Sequence, residues 1–399
     1  MELYSKSQPI DIVSLTELLK KNGLLKDIGG SGYLADLTNQ VATASHVDHY
    51  TDIVKEKKTL RDVIKTSAEM TENAFDSSED IEDFLDGIEQ KIFSISQKFL
   101  PQNFTSLKEE LKTAFERIDK MQHGGDKLRG VTTGFDEIDK MLSGLQKSDL
   151  IVLGGRPSLG KTALALDIAR GAATKGGGPV GIFSLEMSRE QVIDRLIAAE
   201  SHVPLWHILT GRINRDEEFQ MIQGALDRLS KVSIFIDDSP SLNIMQMRSM
   251  ARRLQMEHGL GLLVIDYLQL IRPRNNIDSM VQQVTEISRS LKALARELKV
   301  PVLALSQLSR GVEQRDRKVP RLSDLRESGS IEQDSDVVIF IYRKDRDKTD
   351  VAPEEQNLAQ IIIAKHRNGP VGEVDLRFDP EKVSFRSLEK RYGDLPPLE

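Results

Sequence analysis

Two patterns of apolar positions divide the chain near residue 130. Up to about residue 100, apolar residues recur three and four positions apart, as on one face of an α-helix. Farther along, nearly continuous apolar runs alternate with helical stretches; the runs are residues 150–153, 180–183, 232–236, 262–265, 300–305 and 337–341. Strands buried on both faces of a parallel sheet have this pattern. It predicts a doubly wound α/β domain that binds ligands at the carboxyl ends of its strands.

Residues 1–100 are predicted to form a small all-α domain. Ser14 and Glu17 have the spacing of a capping box at the start of a helix. Residues 29–32 predict a turn, and a later helix would present an apolar face formed by Ile81, Phe84, Leu85, Ile88 and Ile92. The sequence of this part contains no catalytic constellation, so we interpret it as a docking module.

Residues 101–127 are predicted to be a linker with one helix. A narrow apolar stripe at helical spacing crosses this otherwise charged segment and comprises Leu107, Leu111, Phe115, Ile118 and Met121. A single short helix is marginally stable in water. We therefore expect the stripe to dock on another surface, and a neighbouring subunit is one candidate.

Composition narrows the class of protein. The 399 residues include no cysteine, which excludes disulfides, thiolate zinc sites and thiol nucleophiles. A net charge of -7 argues against a protein that coats nucleic acid through bulk positive charge, although local basic patches remain compatible with it. No apolar run reaches the roughly 18 residues that span a bilayer, and no signal peptide is evident, so we expect a cytoplasmic protein without membrane partners.

The strongest chemical signal lies at residues 155–162. Their sequence fits G-x-x-x-x-G-K-[ST] between a predicted strand and a predicted helix, which is the context of a phosphate-binding loop. Lys161 would reach the β- and γ-phosphates of ATP, and the Thr162 hydroxyl would bind Mg²⁺. The predicted cradle comprises Gly155, Arg156, Pro157, Ser158, Gly160, Lys161, Thr162 and Ala163.

Three polar residues at the ends of predicted strands complete the expected site. Asp266 follows run 262–265 and is typical of a Walker-B carboxylate that holds Mg²⁺. Glu186 follows run 180–183 and could orient the attacking water; an acid at a helix amino end is the alternative. Gln307 follows run 300–305 and could sense the γ-phosphate.

Basic segments supply further candidates. Residues 309–336 form a long polar segment, predicted to be a loop, that suits contacts to nucleic-acid phosphates; a solvated charged loop is the alternative. Its cationic residues include Arg310, Arg315, Arg317, Lys318, Arg321 and Arg326. A shorter polar loop at 272–283 could line the same channel. Residues 365–369 follow a predicted strand at 361–364 as a basic hairpin tip that has no evident use in the subunit's own site.

Six motifs, in this order, closely resemble the DnaB family of bacterial and phage replicative helicases. They are residues 154–162, 183–187, 264–269, 306–310, 324–334 and 365–370. A weaker resemblance at 32–37 and 49–61 matches the later part of that family's N-terminal domain, so a shortened N-terminal domain is expected. The resemblance implies a RecA-like P-loop NTPase core at 128–399 with a mainly parallel sheet, preceded by the all-α domain at 1–100 and the linker at 101–127.

The resemblance also implies roles for individual residues. Glu186 would be the catalytic base and Gln307 the coupling sensor, and Arg195 would lie near the nucleotide. Arg367 would be an arginine finger that acts in the neighbouring subunit, with Lys365 beside it. The loop that grips DNA would include Arg326, Glu327 and Gly329.

The resemblance therefore predicts a hexameric, ATP-dependent helicase that moves 5′ to 3′ on single-stranded DNA and excludes the other strand. Primase and a helicase loader are its expected partners. A recombination ATPase of the RecA class shares the nucleotide motifs but builds filaments; residues 326–329 and 365–367 favour the helicase. A nucleotide-gated assembly factor without hydrolysis is disfavoured by the presence of Glu186 and Arg367.

Overall fold

The protein is described by a computed structural model. It covers residues 12–40, 47–76, short pieces between 84 and 119, 128–213, 215–272, 279–315, 318–346, 352 and 355–388. The chain divides into two compact units, Met1–Leu107 and Lys108–Glu399, and each is described by itself. No helix in these ranges is both long and apolar enough to cross a membrane.

The first unit is helical where it is described. Its helices are α1 (Ile12–Lys21), α2 (Gly30–Gln40) and α3 (Val47–Asp76). Ser14 lies inside α1, so the predicted capping box is wrong; Ile12 extends the apolar face of the helix by one turn. The turn predicted at 29–32 is wrong for residues 30–32, because α2 already begins at Gly30. Of the helix predicted around 81–92, residues 84, 87–88 and 91–92 are helical and the others lie outside the described residues.

The predicted linker helix is described at a few positions. Leu107, Leu111 and Phe115 are helical, and each side chain is more than half exposed. Ile118 and Met121 lie outside the described residues. The apolar stripe is therefore exposed at its three described positions.

From residue 128 on, the described residues of the second unit form one sheet of nine strands and eight α-helices. The strands are β1 (Leu150–Gly155), β2 (Val180–Ser184), β3 (Ile234–Asp237), β4 (Leu262–Asp266), β5 (Val302–Gln307), β6 (Val337–Arg343), β7 (Leu358–His366), β8 (Gly372–Asp379) and β9 (Ser384–Ser387). The helices are α4 (Asp136–Leu142), α5 (Lys161–Thr174), α6 (Arg189–Ser201), α7 (Leu205–Thr210), α8 (Arg215–Leu229), α9 (Ile244–His258), α10 (Met280–Leu298) and α11 (Gly329–Asp334).

The sheet has the order β3-β2-β4-β5-β1-β6-β7-β8-β9. Strands β1 to β6 pair in parallel, and β7 to β9 continue the sheet antiparallel. Strands β1, β2 and β4 are buried at every position because apolar clusters cover both faces of the sheet. Edge strand β3 is only half-buried. The predicted mainly parallel α/β core is confirmed, and its six parallel strands correspond to the six apolar runs.

Two predicted loops are wrong in part. Segment 309–336 is not one open loop: it contains 3₁₀ helices at Arg310–Gln314 and Leu322–Ser328 and then α11. Its buried residues Val312, Leu325 and Ile331 anchor these turns in the core. In the loop predicted at 272–283, α10 already begins at Met280, and residues 273–278 lie outside the described residues.

Candidate nucleotide-binding active site

The phosphate-binding loop joins β1 to α5. Gly160 is the N-cap of α5 and has a φ of 96°, a left-handed conformation that glycine adopts without strain. A Cβ on Gly160 would lie 2.9 Å from Cζ of Phe385. Ser158 also has a positive φ, 64°. The Phe385 side chain of β9 therefore leaves no room for a side chain at Gly160, and this close contact restricts the conformation of the loop.

The remaining cradle residues fall on either side of this turn. Pro157 and Ser158 are exposed, and Gly155 is buried at the end of β1. Ala163 packs its methyl group into the core, so only its backbone in the first turn of α5 can face a ligand. Arg156 forms an ion pair with Glu313, 3.0 Å from Nη2 to Oε1. The sequence patterns did not predict this contact between the loop and segment 310–314.

Lys161 is the first residue of α5. Its Nζ donates a hydrogen bond to the carbonyl oxygen of Gly155 over 2.8 Å. Burial lowers the pKa of Lys161, whereas the negative charges of Asp266 and Glu186 oppose this shift. The ammonium group is therefore held within the loop by a carbonyl that a phosphate oxygen can replace.

Thr162 and Asp266 meet across the strand ends. The Thr162 hydroxyl donates to Asp266 Oδ2 over 2.7 Å, while Oδ1 of the same buried carboxylate has no hydrogen-bond partner. Burial raises the pKa of Asp266 to about 6, and repulsion from Glu186 adds to the shift. A buried carboxylate with one unsatisfied oxygen beside a hydroxyl fits a divalent cation that takes its other ligands from phosphates and water. Among the described residues, no cluster of three or more His, Cys, Asp or Glu side chains offers another metal site.

Glu186 is exposed just beyond the end of β2. Ser184 is in register with Asp266, and the Leu185 N–H donates to the Asp266 carbonyl oxygen over 2.8 Å. Ser188 is the N-cap of α6, so Glu186 precedes the helix by two further residues. Arg195 lies in α6; burial lowers its pKa, and Asp266 and Glu186 oppose this. These charges share one site at the carboxyl edge of the sheet.

Gln307 lies at the same edge, because β5 pairs with β1 and brings Gln307 opposite Gly155. Its side chain is exposed. Gln269 holds the surrounding backbone: its Nε2 donates to Ser306 Oγ over 3.1 Å, and its Oε1 accepts the Gln307 N–H over 3.3 Å. Gln269 lies three residues beyond the end of β4, and this position after a buried strand was the available signal for it.

Arg367 and Lys365 lie at the opposite edge. Val337, the first residue of β6, pairs with His366, and Ile151 at the start of β1 pairs with Val337. Since a strand rises about 3.3 Å per residue, β1 separates this edge from the phosphate-binding loop by about 17 Å. Lys365 Nζ donates to the carbonyl oxygens of Glu332 (2.5 Å) and Ser335 (2.6 Å) at the end of α11. The structure therefore does not bring these two cations to the subunit's own P-loop.

The residues predicted to bind DNA lie in segment 309–336. Arg326 and Glu327 belong to the second 3₁₀ helix, with side chains outside the described residues, and Gly329 begins α11. Asp324, which the sequence patterns did not single out, organises the segment. Its carbonyl oxygen accepts the Ser309 N–H over 3.0 Å, its Oδ2 accepts the Arg321 N–H over 2.7 Å, and its Oδ1 pairs with Arg315.

Comparisons with known proteins agree with this geometry. The family model of the DnaB-like helicase C terminal domain matches residues 130–387, and that of the DnaB-like helicase N terminal domain matches residues 1–56. The chain is 43% identical over 398 residues to the replicative DNA helicase DnaC of Bacillus subtilis, which covers 99% of this chain and 87% of that protein. It is 44% identical over 400 residues to the replicative DNA helicase DnaB of Geobacillus stearothermophilus, covering 100% and 87%.

Solved structures of similar proteins have the same fold. One solved ATPase domain is 39% identical, with a TM-score of 0.68 over 72% of this chain and 100% of that chain. A DnaB-like replicative helicase, whose structure was described with its interactions with primase, is 34% identical. Its TM-score is 0.75 over 97% of this chain and 90% of that chain.

Proposed function

The chain belongs to the family of DnaB-like replicative DNA helicases, and on that premise we propose that it is an ATP- and Mg²⁺-dependent ring motor. The ring is a hexamer that moves 5′ to 3′ along single-stranded DNA and opens the fork by excluding the other strand. One observation carries the proposal. Lys161, Asp266 and Glu186 converge at one edge of the sheet, whereas Arg367 lies at the other edge and suits a neighbour's site.

Binding of ATP is proposed to replace the hydrogen bond that Lys161 donates to the Gly155 carbonyl within the P-loop. Lys161 leaves the Gly155 carbonyl for the β- and γ-phosphates, and backbone N–H groups of residues 155–163 surround the phosphates. Thr162 and Asp266 would hold Mg²⁺, since Asp266 Oδ1 has no other partner. When bound there, Mg²⁺ would neutralise negative charge on the phosphates.

Glu186 is proposed to accept the proton of the attacking water. Its side chain is exposed just beyond the end of β2, so a water molecule can reach it. The guanidinium group of Arg195 on α6 is proposed to stabilise the negative charge that develops on the phosphates during hydrolysis. Gln307 senses the γ-phosphate, and the Asp324 carbonyl that accepts the Ser309 N–H links the end of β5 to the DNA-binding segment. Arg326, Glu327 and Gly329 of that segment are proposed to contact the DNA backbone.

Arg367 is proposed to act in trans. The length of β1 keeps it about 17 Å from the P-loop of its own subunit. Its side chain is 67% exposed, so it is free to meet the γ-phosphate bound by the adjacent subunit. Lys365 is proposed to lie beside it, which requires the ammonium group to exchange a carbonyl of α11 for that site.

Assembly explains the uncovered apolar surfaces. Leu111 and Phe115 of the linker are exposed, and so are Trp206, Leu209 and Phe219 on α7 and α8 of the second unit. We propose that the linker stripe of one subunit docks on an apolar surface of the next. The helical first unit is proposed to contact primase, and a helicase loader is expected to act on the assembled ring.

The test is unwinding of forked DNA that carries either a 5′ or a 3′ loading tail, with ATP and Mg²⁺. Unwinding only from the 5′ tail, lost in Lys161→Ala, is the expected result. Unwinding only from the 3′ tail would contradict the proposed polarity. ATP hydrolysis stimulated by single strands but without unwinding would favour the RecA-class alternative, and electron microscopy would then distinguish filaments from closed rings.

A further inference from the structure

Asp336 joins three elements at the edge of the sheet opposite the P-loop. It immediately precedes β6, and only 2% of its surface is exposed. Its Oδ2 accepts the backbone N–H of Leu150, the first residue of β1, over 2.9 Å. The same oxygen pairs with Lys292 of α10, whose Nζ also donates to the Ser148 carbonyl over 2.7 Å. The carboxylate is thus fixed to the strand whose other end carries the P-loop.

The same residue holds Arg367 at two points. The Asp336 carbonyl oxygen accepts the Arg367 N–H over 2.8 Å, and Oδ1 lies 3.4 Å from Arg367 Nη1. The charges of this cluster also act on the nearby Asp149. Burial raises the pKa of Asp149 to about 6, and the negative charge of Asp336 adds to the shift. The positive charges of Lys292, His366 and Arg367 oppose it. Arg367 remains largely exposed although its backbone and guanidinium are both anchored.

Resting on the trans role of Arg367 proposed above, we propose that Asp336 is a positioning residue for ATP hydrolysis in the adjacent subunit. It orients the guanidinium group through a charge-assisted hydrogen bond while tying the arginine to β1 of its own subunit. Misplacement of a reacting group by about 1 Å lowers a rate by about 100-fold, so a buried anchor at the base of a flexible arginine controls the chemical step.

Asp336→Asn tests this role because the amide oxygen still accepts the Leu150 N–H but the negative charge is gone. The expected result is a fall of about 100-fold in DNA-stimulated kcat, with the KM for ATP within about two-fold and rings still assembled. Parent-like kcat in Asp336→Asn would overturn the proposal. Should Asp336→Asn fail to assemble, Asp336→Glu tests the position of the carboxylate instead, since it keeps the charge but moves it by one methylene group. A fall in kcat is again expected, and parent-like kcat in assembled Asp336→Glu rings would overturn the proposal.

Mixed rings separate a positioning role from simple destabilisation. Asp336→Asn subunits keep an intact P-loop, and Lys161→Ala subunits keep an intact Arg367. In rings assembled from an equal mixture, about one interface in four therefore combines the two intact halves. Recovery of hydrolysis well above either variant alone is expected. No recovery, in mixtures where the reference pair below does recover, would mean that Asp336 acts on its own subunit's fold, and it would overturn the proposal.

The reference pair is Arg367→Ala mixed with Lys161→Ala, which tests the trans finger itself. Recovery in this pair without recovery in the Asp336→Asn pair defeats only the present inference. Absence of recovery in both pairs defeats the trans assignment and the inference with it. Asp139→Asn is the matched control: Asp139 is also buried and its Oδ1 accepts a backbone N–H (Thr133, 2.8 Å), but it belongs to α4, which carries none of the proposed site residues. Its melting temperature shows how much of a rate loss follows from lost stability alone.

Discussion

Thr162 donates its hydroxyl hydrogen to Asp266 Oδ2 over 2.7 Å, and this bond satisfies only half of the buried carboxylate. The unpaired Oδ1 and the pKa of about 6 have one physical origin, because a charge removed from water lacks a compensating partner. The nucleotide-free site is therefore less stable than its packing alone would make it. A bound cation removes that penalty, so stability and ligand binding are coupled at this residue.

Asp266→Asn is expected to stabilise the metal-free protein while abolishing hydrolysis. The folded-state pKa is raised from 3.8 to about 6, so the folded state binds the proton more tightly than the unfolded state. Stability therefore falls as pH rises from about 4 to about 6, and the full penalty is present above that window. At pH 8 in EDTA the substitution should raise the free energy of unfolding by about 3 kcal/mol, and the gain should shrink towards pH 4.

Urea unfolding at the two pH values measures this effect. The exposed carboxylate Asp375 on β8 supplies the control, since Asp375→Asn should change little. A variant Asp266→Asn that is less stable than the parent at pH 8 would refute the burial penalty.

Glu186→Gln is expected to bind nucleotide but not to hydrolyse it. The amide keeps the size of the side chain and cannot accept the proton of water, so kcat should fall by about 100- to 10,000-fold. Single-turnover hydrolysis measures the loss, and titration with a fluorescent ATP analogue checks that affinity is retained. Glu190→Gln, an exposed change in the first turn of α6, is the control. Hydrolysis by Glu186→Gln at the parent rate would assign the base elsewhere.

Gly160→Ala is expected to abolish nucleotide binding. The new Cβ would lie 2.9 Å from Phe385 and would require a left-handed conformation at a φ of 96°. Gly176→Ala isolates the backbone effect, because Gly176 also has a positive φ, 86°, and no atom of the described residues lies within 4 Å of the place its new methyl group would take. Both variants should lose about 1 kcal/mol of stability from the conformation alone, but only Gly160→Ala should lose ATP affinity by calorimetry. Equal affinities would show that the contact with Phe385 does not shape the loop.

The position of the candidate site follows from local sequence because of how parallel strands are buried. A strand covered on both faces is apolar throughout, so the first polar residue after it marks the carboxyl edge. Asp266 is such a residue, Gln307 and Glu186 lie just beyond one (Ser306 and Ser184), and all three fall at one edge with the P-loop. Of the antiparallel extension, only a strand at 361–364, within β7, was predicted, and its direction was not. Strand β8 alternates buried and exposed residues, as a strand with one solvent face does.

Partners far apart in sequence could not be predicted in the same way. Asp336 contacts Leu150 and Arg367 because the β1–β6 and β6–β7 registers bring them together, and registers are not encoded in local periodicity. Segment 309–336 was predicted to be a loop because its charges dominate the pattern. Its short 3₁₀ turns depend instead on single buried residues, such as Val312 and Leu325, and on Asp324.

Phe115→Ser and Leu111→Ser are expected to weaken ring assembly without destabilising the subunit. Phe115 is 71% and Leu111 57% exposed, so neither side chain contributes much to the fold of one chain. Burying an apolar side chain of this size at an interface contributes about 1.5–3 kcal/mol, and a closed ring loses that amount at every interface at once. Light scattering should therefore find smaller species at concentrations where the parent is a ring, while the melting temperature of the dissociated subunit stays unchanged.

Met256→Ser on α9, where the side chain is 88% exposed, removes a similar apolar group outside the linker and should leave the rings intact. Rings of both linker variants as stable as those of the parent would mean that the stripe docks within its own chain or on another partner.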